Sequence, residues 1–281
     1  MLREPGQVLR AAVLGSPIAH SLSPVLHRAG YAAAGLEGWS YEAFDVDAAA
    51  LPGFVGGLDE HWRGLSLTMP LKGDAAVLAT SVDDVARRTA AVNTLVRRPD
   101  GGWDATNTDV VGVVRALRPH LPAGAERALV LGSGATARSA ILALADLGVT
   151  TLTVRARDTS RAADLLAWAM DLGRGIRSGS VAGLEPWATA ADDVVVSTLP
   201  ATAGDVVAGT VPPAHSGVLL DVVYAGWPTP LARAAARSGM TVVSGLDMLV
   251  HQAAEQFRLF TGRVAPVAAM AAAGRAALER P

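Results

Sequence analysis

The run Gly132-Ser133-Gly134-Ala135-Thr136-Ala137 has the G-x-G-x-x-A spacing that lets a main chain hold a pyrophosphate. Its first glycine permits a tight turn, its second lets the phosphates approach the backbone, and the small third residue lets helix and strand pack closely. The N-terminus of the helix that follows attracts the negative charge. Sequences rich in glycine and alanine produce such a hexapeptide by chance, as a plain tight turn. Its weight comes from the apolar strand before it and the helix after it.

The tip of the next strand bears on which dinucleotide would bind. NAD enzymes place an acidic residue there to hold the ribose hydroxyls. Here the chain reads Val154-Arg155-Ala156-Arg157-Asp158-Thr159-Ser160-Arg161, with no carboxylate at the tip itself. Guanidinium groups donate paired, charge-assisted hydrogen bonds to a phosphate, so Arg155, Arg157 and Arg161 point to the 2′-phosphate of NADP. As solvated loop charges they would mean nothing. Asp158 is an awkward neighbour for a phosphate and works against the NADP reading.

A second set of polar residues stands in apolar surroundings. It runs through Gly15-Ser16-Pro17-Ile18-Ala19-His20-Ser21-Leu22-Ser23-Pro24, Leu67-Thr68-Met69-Pro70-Leu71-Lys72, Ala91-Val92-Asn93-Thr94 and Asn107-Thr108-Asp109. It resumes at Asp221-Val222-Val223-Tyr224 and at Gly245-Leu246-Asp247-Met248-Leu249-Val250-His251-Gln252. Cysteine is absent, which excludes disulfides, thiol catalysis and cysteine-held metal. His20, His27, His61, His120, His215 and His251 show no metal spacing such as H-E-x-x-H, and no metal is called for.

These residues need elements to hold them. Arg10–Leu14 reads as a strand, Ser23-Pro24 as a helix start that runs to Gly35, and Tyr41–Val46 and Gly64–Thr68 as further strands. Asp83–Ala90 reads as helical and Ala91–Val96 as extended, which predicts an α/β layer with a largely parallel sheet. A clearer unit begins near Ala125, with strand Arg127–Leu131, helix Ala135–Leu147 and strand Thr150–Val154. Asp193–Ser197 and Val218–Asp221 have the continuous apolar character of strands buried on both faces. A helix from Asp109 to Leu121, ending in Leu121-Pro122-Ala123-Gly124, marks the boundary, and the chain from Leu246 onward is helical.

With 281 residues, two domains are expected. The fold class is α/β, with residues 1–110 and 245–281 as an N-terminal substrate domain and 111–244 as a Rossmann-like dinucleotide-binding domain. A cleft is expected between them. Lys plus Arg number 24 against 26 for Asp plus Glu, a balance that offers no field for nucleic acid or an anionic membrane. A small-molecule partner is the better expectation. The N-terminal stretch has no apolar run long enough for a leader, and no segment approaches about 20 continuous apolar residues. A soluble, cytoplasmic protein is expected; no residue pattern fixes its assembly, and a homodimer is one option.

The ordered series of polar motifs resembles the shikimate dehydrogenase family from end to end. G-x-P-I-x-H-S-x-S-P, V-T-x-P-x-K, A-V-N-T, N-T-D, D-x-x-Y and G-x-x-M-L-x-x-Q all occur in order, with Leu67 in place of the valine. The frequent N-R-T after the second Rossmann strand is Ala156-Arg157-Asp158 here, which keeps only the arginine. The resemblance implies NADP-dependent reduction of 3-dehydroshikimate to shikimate, with Lys72 as the catalytic lysine and Asp109 as its partner carboxylate. It implies that Ser21 and Ser23 bind the substrate carboxylate, that Tyr224 lies near it, and that Thr68, Asn93 and Gln252 hydrogen-bond the ring hydroxyls or carboxylate. Thr94 and Thr108 read as structural. Thr198, Val222 and Gly245 join the glycine turn and the arginines at the cofactor. Two rivals stand beside this reading. One is an NAD-dependent quinate/shikimate dehydrogenase of the same family, against which Ser23 speaks, since threonine there accompanies quinate use in some relatives. The other is a catalytically silent paralogue that only binds a nucleotide.

Overall fold

Residues 8–184 and 192–279 are described by the computed structural model; residues 1–7, part of the stretch read for a leader, lie outside them. In chain order the elements begin with β1 (Leu9–Gly15), α1 (Ser23–Ala33), β2 (Trp39–Asp45), α2 (Leu51–Gly56) and β3 (Trp62–Leu67). Next come β4 (Ser81–Val82), α3 (Asp84–Thr89), β5 (Thr94–Arg97), β6 (Trp103–Thr106) and α4 (Asp109–Leu117). They are followed by β7 (Arg127–Leu131), α5 (Ala135–Asp146), β8 (Thr151–Arg155), α6 (Thr159–Asp171), β9 (Ser178–Ala182) and β10 (Val194–Ser197). The chain closes with α7 (Ala201–Ala208), β11 (Val218–Asp221), α8 (Pro230–Ser238), β12 (Thr241–Ser244), α9 (Gly245–Thr261) and α10 (Val267–Leu278). The chain divides into two compact units, Met1–Thr108 with Leu249–Pro281, and Asp109–Met248.

The first unit is built on a six-stranded sheet in the order β2-β1-β3-β5-β6-β4. Alternate residues of β1 serve opposite faces. Ala12 and Leu14 join Leu65, Leu67, Leu95 and Trp103 in one core, whereas Ala11 and Val13 pack with Tyr31, Tyr41, Phe257 and Phe260 in the other. A largely parallel sheet was the expectation, and it holds for β2, β1 and β3. It fails at β5, which runs antiparallel to both β3 and β6. The reason is the short Arg98–Gly102 link, since a parallel pair needs a crossover of about a dozen residues. The turn is closed by Arg98 N donating to the Gly102 carbonyl at 2.9 Å. The Arg98 guanidinium also donates to Asp100 and to Asp104 of β6.

The reversal has a useful consequence. The carboxyl ends of β1, β3 and β6 and the amino end of β5 all fall on one edge of the sheet. Thr68, Asn93 and Asn107-Thr108 follow or precede those ends directly, and Ser21 lies in the loop between β1 and α1.

The second unit is a six-stranded sheet in the order β12-β11-β10-β7-β8-β9, and every pairing is parallel. Counted within the unit from β7, this is the 3-2-1-4-5-6 order of a doubly wound dinucleotide-binding fold. Leu129, Val130, Val195, Val196, Leu219 and Leu220 are completely buried, which accounts for the apolar interiors of these strands. Among the described residues, side chains start several helices: Asp83 caps α3, Asp158 caps α6 and Thr229 caps α8.

Candidate active site

In the second unit the strand order reverses between β7 and β10, the place where open α/β sheets bind ligands. Gly132 follows β7 and Thr198 follows β10. Gly132 has φ +109°, a left-handed conformation, and a Cβ there would lie 2.4 Å from Thr198 Oγ1. The Thr198 hydroxyl donates in turn to the Leu131 carbonyl at 2.9 Å, so the turn and the β10 tip are locked together. Ala137 is completely buried, as close helix–strand packing requires. Gly134 occupies the N-cap of α5 with no side-chain capping bond, so the first-turn N–H groups are not capped by a side chain.

A pocket of about 260 Å³ opens at this point, lined by Gly132, Ser133, Gly134 and Thr198 together with Arg157, Asp158 and Arg161. A second pocket of about 470 Å³ shares Arg157 with it. Arg157 and Arg161 therefore share a pocket wall with the glycine turn. Arg155 is placed differently: its side chain is buried, and it donates to the Gly183 carbonyl at 3.0 Å. Asp158 Oδ1 accepts from Arg161 N at 3.1 Å, so at least one of its oxygens is committed to starting α6.

The other predicted cofactor residues of this unit, Val222 and Gly245, are in contact. A Cβ on Gly245 would fall 2.2 Å from the Val222 carbonyl oxygen, so only glycine fits. Asp221 sets this loop. Its buried carboxylate accepts from Thr229 Oγ1 at 2.7 Å and from Val223 N at 3.3 Å, and burial raises its pKa. Tyr224 follows at once, half-buried, and burial raises its phenol as well. Asp109 is buried at the first position of α4.

In the first unit, Lys72 sits in a single 3₁₀ turn after β3, partly buried. Its carbonyl accepts from Val92 N at 2.8 Å, and Leu67 N donates to the Asn93 carbonyl at 2.7 Å. The lysine turn is thereby tied to the segment that carries Asn93. Thr68 N donates to the Leu14 carbonyl at 2.9 Å, which fixes Thr68 beside the loop leading to Ser21. Ser21 Oγ accepts from Ser23 N at 3.3 Å at the start of α1.

Asn93 is the centre of a buried cluster. Its Oδ1 accepts from Thr108 N at 2.8 Å, and its Nδ2 approaches Thr108 Oγ1 at 3.0 Å and Gln252 Oε1 at 3.5 Å. Gln252 Nε2 donates to the Leu249 carbonyl at 3.1 Å. Thr94 and Thr108, read as structural from the sequence, both hydrogen-bond Asn93. Tyr41, Ser66 and Gln256 were not singled out at all, yet they continue the same network. One signal was available: Gln256 lies four residues after Gln252, on the same face of α9.

A doubly wound sheet with a phosphate-type turn at its switch point, joined in one chain to a unit with an ammonium and a hydroxyl–amide cluster, defines a dinucleotide-dependent oxidoreductase. The chain belongs to the shikimate dehydrogenase family. Residues 13–95 match the family described as the shikimate dehydrogenase substrate binding domain, and residues 245–273 the shikimate 5′-dehydrogenase C-terminal domain. The shikimate dehydrogenase (NADP(+)) of Methylobacterium radiotolerans is 39% identical over 273 residues, covering 92% of this chain and 94% of that protein. The solved shikimate dehydrogenase of Mycobacterium tuberculosis superposes with a TM-score of 0.85 at 47% identity, over 95% of this chain and 99% of that one. The shikimate 5-dehydrogenase of Thermus thermophilus, solved with NADP(H) and shikimate, gives a TM-score of 0.81 at 34% identity, over 96% of this chain and 100% of that one.

Proposed function

We propose that the chain catalyses the reversible, NADP-dependent reduction of 3-dehydroshikimate to shikimate in aromatic amino-acid biosynthesis. One observation carries the reading: Asn93, Thr108 and Gln252 meet in a buried amide–hydroxyl cluster at the sheet edge where Thr68 and the Lys72 turn begin. A ring bearing several hydroxyls and a carboxylate needs many neutral donors and acceptors, which amides and hydroxyls provide. In the other unit the glycine turn, the uncapped start of α5 and the Arg157–Arg161 wall fit a dinucleotide with a 2′-phosphate. NADPH supplies the hydride when bound.

The protein's residues do the rest. Lys72 donates a proton to the ketone oxygen, or stabilises the negative charge developing on it. Asp109 orients the ammonium and accepts from a substrate hydroxyl. Ser21 and Ser23 hold the carboxylate without a buried cation, Tyr224 lies near it, and Thr68, Asn93 and Gln252 hold the ring hydroxyls. In this proposal the first unit binds most of the substrate, and the second binds NADP and lends Asp109 and Tyr224 to the substrate. The setting is the cytoplasm, and light scattering tests a homodimer. Among the described residues, no helix is long and apolar enough to cross a membrane.

Asp158, which lines the Arg157 pocket, favours one second reading, the NAD-dependent quinate/shikimate type. Turnover with NADP or NAD against shikimate or quinate separates the two. Activity confined to NAD and quinate would overturn the first reading, and no activity with any pair would leave a nucleotide-binding paralogue.

A further inference from the structure

The buried network around Asn93 extends well beyond the residues expected to touch substrate, and its proton directions can be worked out from two backbone groups. Thr108 N–H can only donate, so the Asn93 atom 2.8 Å away must be Oδ1. The Asn93 carbonyl can only accept, so the Gln256 atom 3.2 Å away must be Nε2. Everything else follows. Thr94 Oγ1 lies 2.7 Å from Asn93 Oδ1 and must donate to it, so it accepts from Gln256 Nε2 at 2.9 Å. On its other side, Gln256 Oε1 accepts from Ser66 Oγ at 2.8 Å, and Ser66 accepts from the Tyr41 phenol at 2.6 Å.

The chain of bonds thus runs one way, from Tyr41 through Ser66 to Gln256, and on through Thr94 to Asn93. Gln256 is the link that cannot be exchanged, because it must accept on one side and donate twice on the other. Tyr41, Ser66, Thr94, Asn93 and Gln256 are all buried, so a broken link is not repaired by bulk water.

We propose that Gln256 is a positioning residue for substrate: its amide joins the Tyr41–Ser66 pair to the Thr94–Asn93 pair and fixes the orientation of the Asn93 amide. Asn93, assigned above to the ring hydroxyls, is one end of a buried polar strut whose other end is Tyr41. Gln256 itself touches neither substrate nor cofactor. This rests on the shikimate dehydrogenase reading, because it assumes that Asn93 binds substrate.

The test is a double-mutant cycle with Gln256→Leu and Asn93→Ala, read as KM for shikimate, KM for NADP and kcat. Gln256→Leu should raise KM for shikimate about five- to tenfold, the worth of roughly one net hydrogen bond, and leave KM for NADP within about twofold. In the Asn93→Ala background the same change should add less than about twofold, because the two residues act through one contact. A residue needed only for packing would instead give factors that multiply. Gln256→Met, which nearly keeps the length and volume but has no amide donor or acceptor, should reproduce the Gln256→Leu effect, and it carries the cycle if Gln256→Leu does not fold. Multiplying effects, or an unchanged KM for shikimate in folded Gln256→Met, would overturn the proposal. Wild-type turnover of shikimate with NADP in the same assay tests the functional reading separately.

Discussion

Asp158 lines the Arg157 pocket, and replacing it with threonine is an informative perturbation. Two effects are superimposed at this position. As the N-cap of α6 the side chain accepts from Arg161 N, and as a wall of the Arg157 pocket its charge opposes a phosphate. Threonine keeps an acceptor for the cap and removes the charge. At a separation of about 7 Å in water, each unit pair costs about 0.6 kcal/mol, hence about 1 kcal/mol for a phosphate near two charges before salt screening. Asp158→Thr should therefore raise kcat/KM for NADP about three- to fivefold, less at high salt, and leave kcat/KM for NAD nearly unchanged. Asp158→Ala removes the charge too but abandons the cap, at about 0.5–2 kcal/mol of stability. Steady-state kinetics with each cofactor at two ionic strengths, together with urea unfolding of the three proteins, reads both effects. An unchanged NADP preference in Asp158→Thr would show that the carboxylate does not act on the phosphate. Equal stability of the alanine and threonine variants would refute the cap.

Three further predictions concern other parts of the molecule. Lys72→Ala should lower kcat about 10²–10⁴-fold while shikimate still binds, since the proton is needed only as the carbonyl becomes alkoxide; retention of more than about a tenth of kcat would remove Lys72 from that role. Arg157→Ala should weaken NADP roughly 10- to 150-fold, the worth of a charged hydrogen bond, with NAD little affected; equal losses for both cofactors would place Arg157 away from the 2′-phosphate. His27 is buried against Tyr41, its ring stacked at 4.1 Å, and burial lowers its pKa to about 3 from 6.5, with Gln256 opposing in part. The unfolded chain therefore binds a proton at pH 5 that the native protein does not, and stability falls as pH drops below about 6.5. From pH 7 to pH 5 the loss from this residue should be about 2 kcal/mol, absent in His27→Phe; parallel urea-stability curves for the two proteins would refute it.

How much was legible depends on what each residue had to satisfy locally. Strands β7 and β11 could be read to the residue, because burial on both faces leaves an uninterrupted apolar run. The glycine turn was legible because Gly132 and Ala137 answer steric demands within a few residues of themselves. Ala91–Val96 was expected to be extended throughout, yet β5 starts only at Thr94, since Asn93 is held by a distant partner, Thr108. Strand β6 was missed because four residues with only two buried positions give too little pattern. Arg155 shows a limit of another kind: three arginines near a strand tip look equivalent in sequence, and only the fold turns one inward to the Gly183 carbonyl. The strut through Ser66 and Gln256 was illegible for the same reason, because its partners are 190 residues apart along the chain.

The central claim is a hydride transfer with a particular cofactor and a particular substrate, and one measurement addresses it most directly. Wild-type kcat/KM should be determined for NADP and NAD, each with shikimate and quinate, at one pH and ionic strength. The account predicts the highest value for NADP with shikimate. A value equal or higher with NAD, or with quinate in place of shikimate, would contradict it.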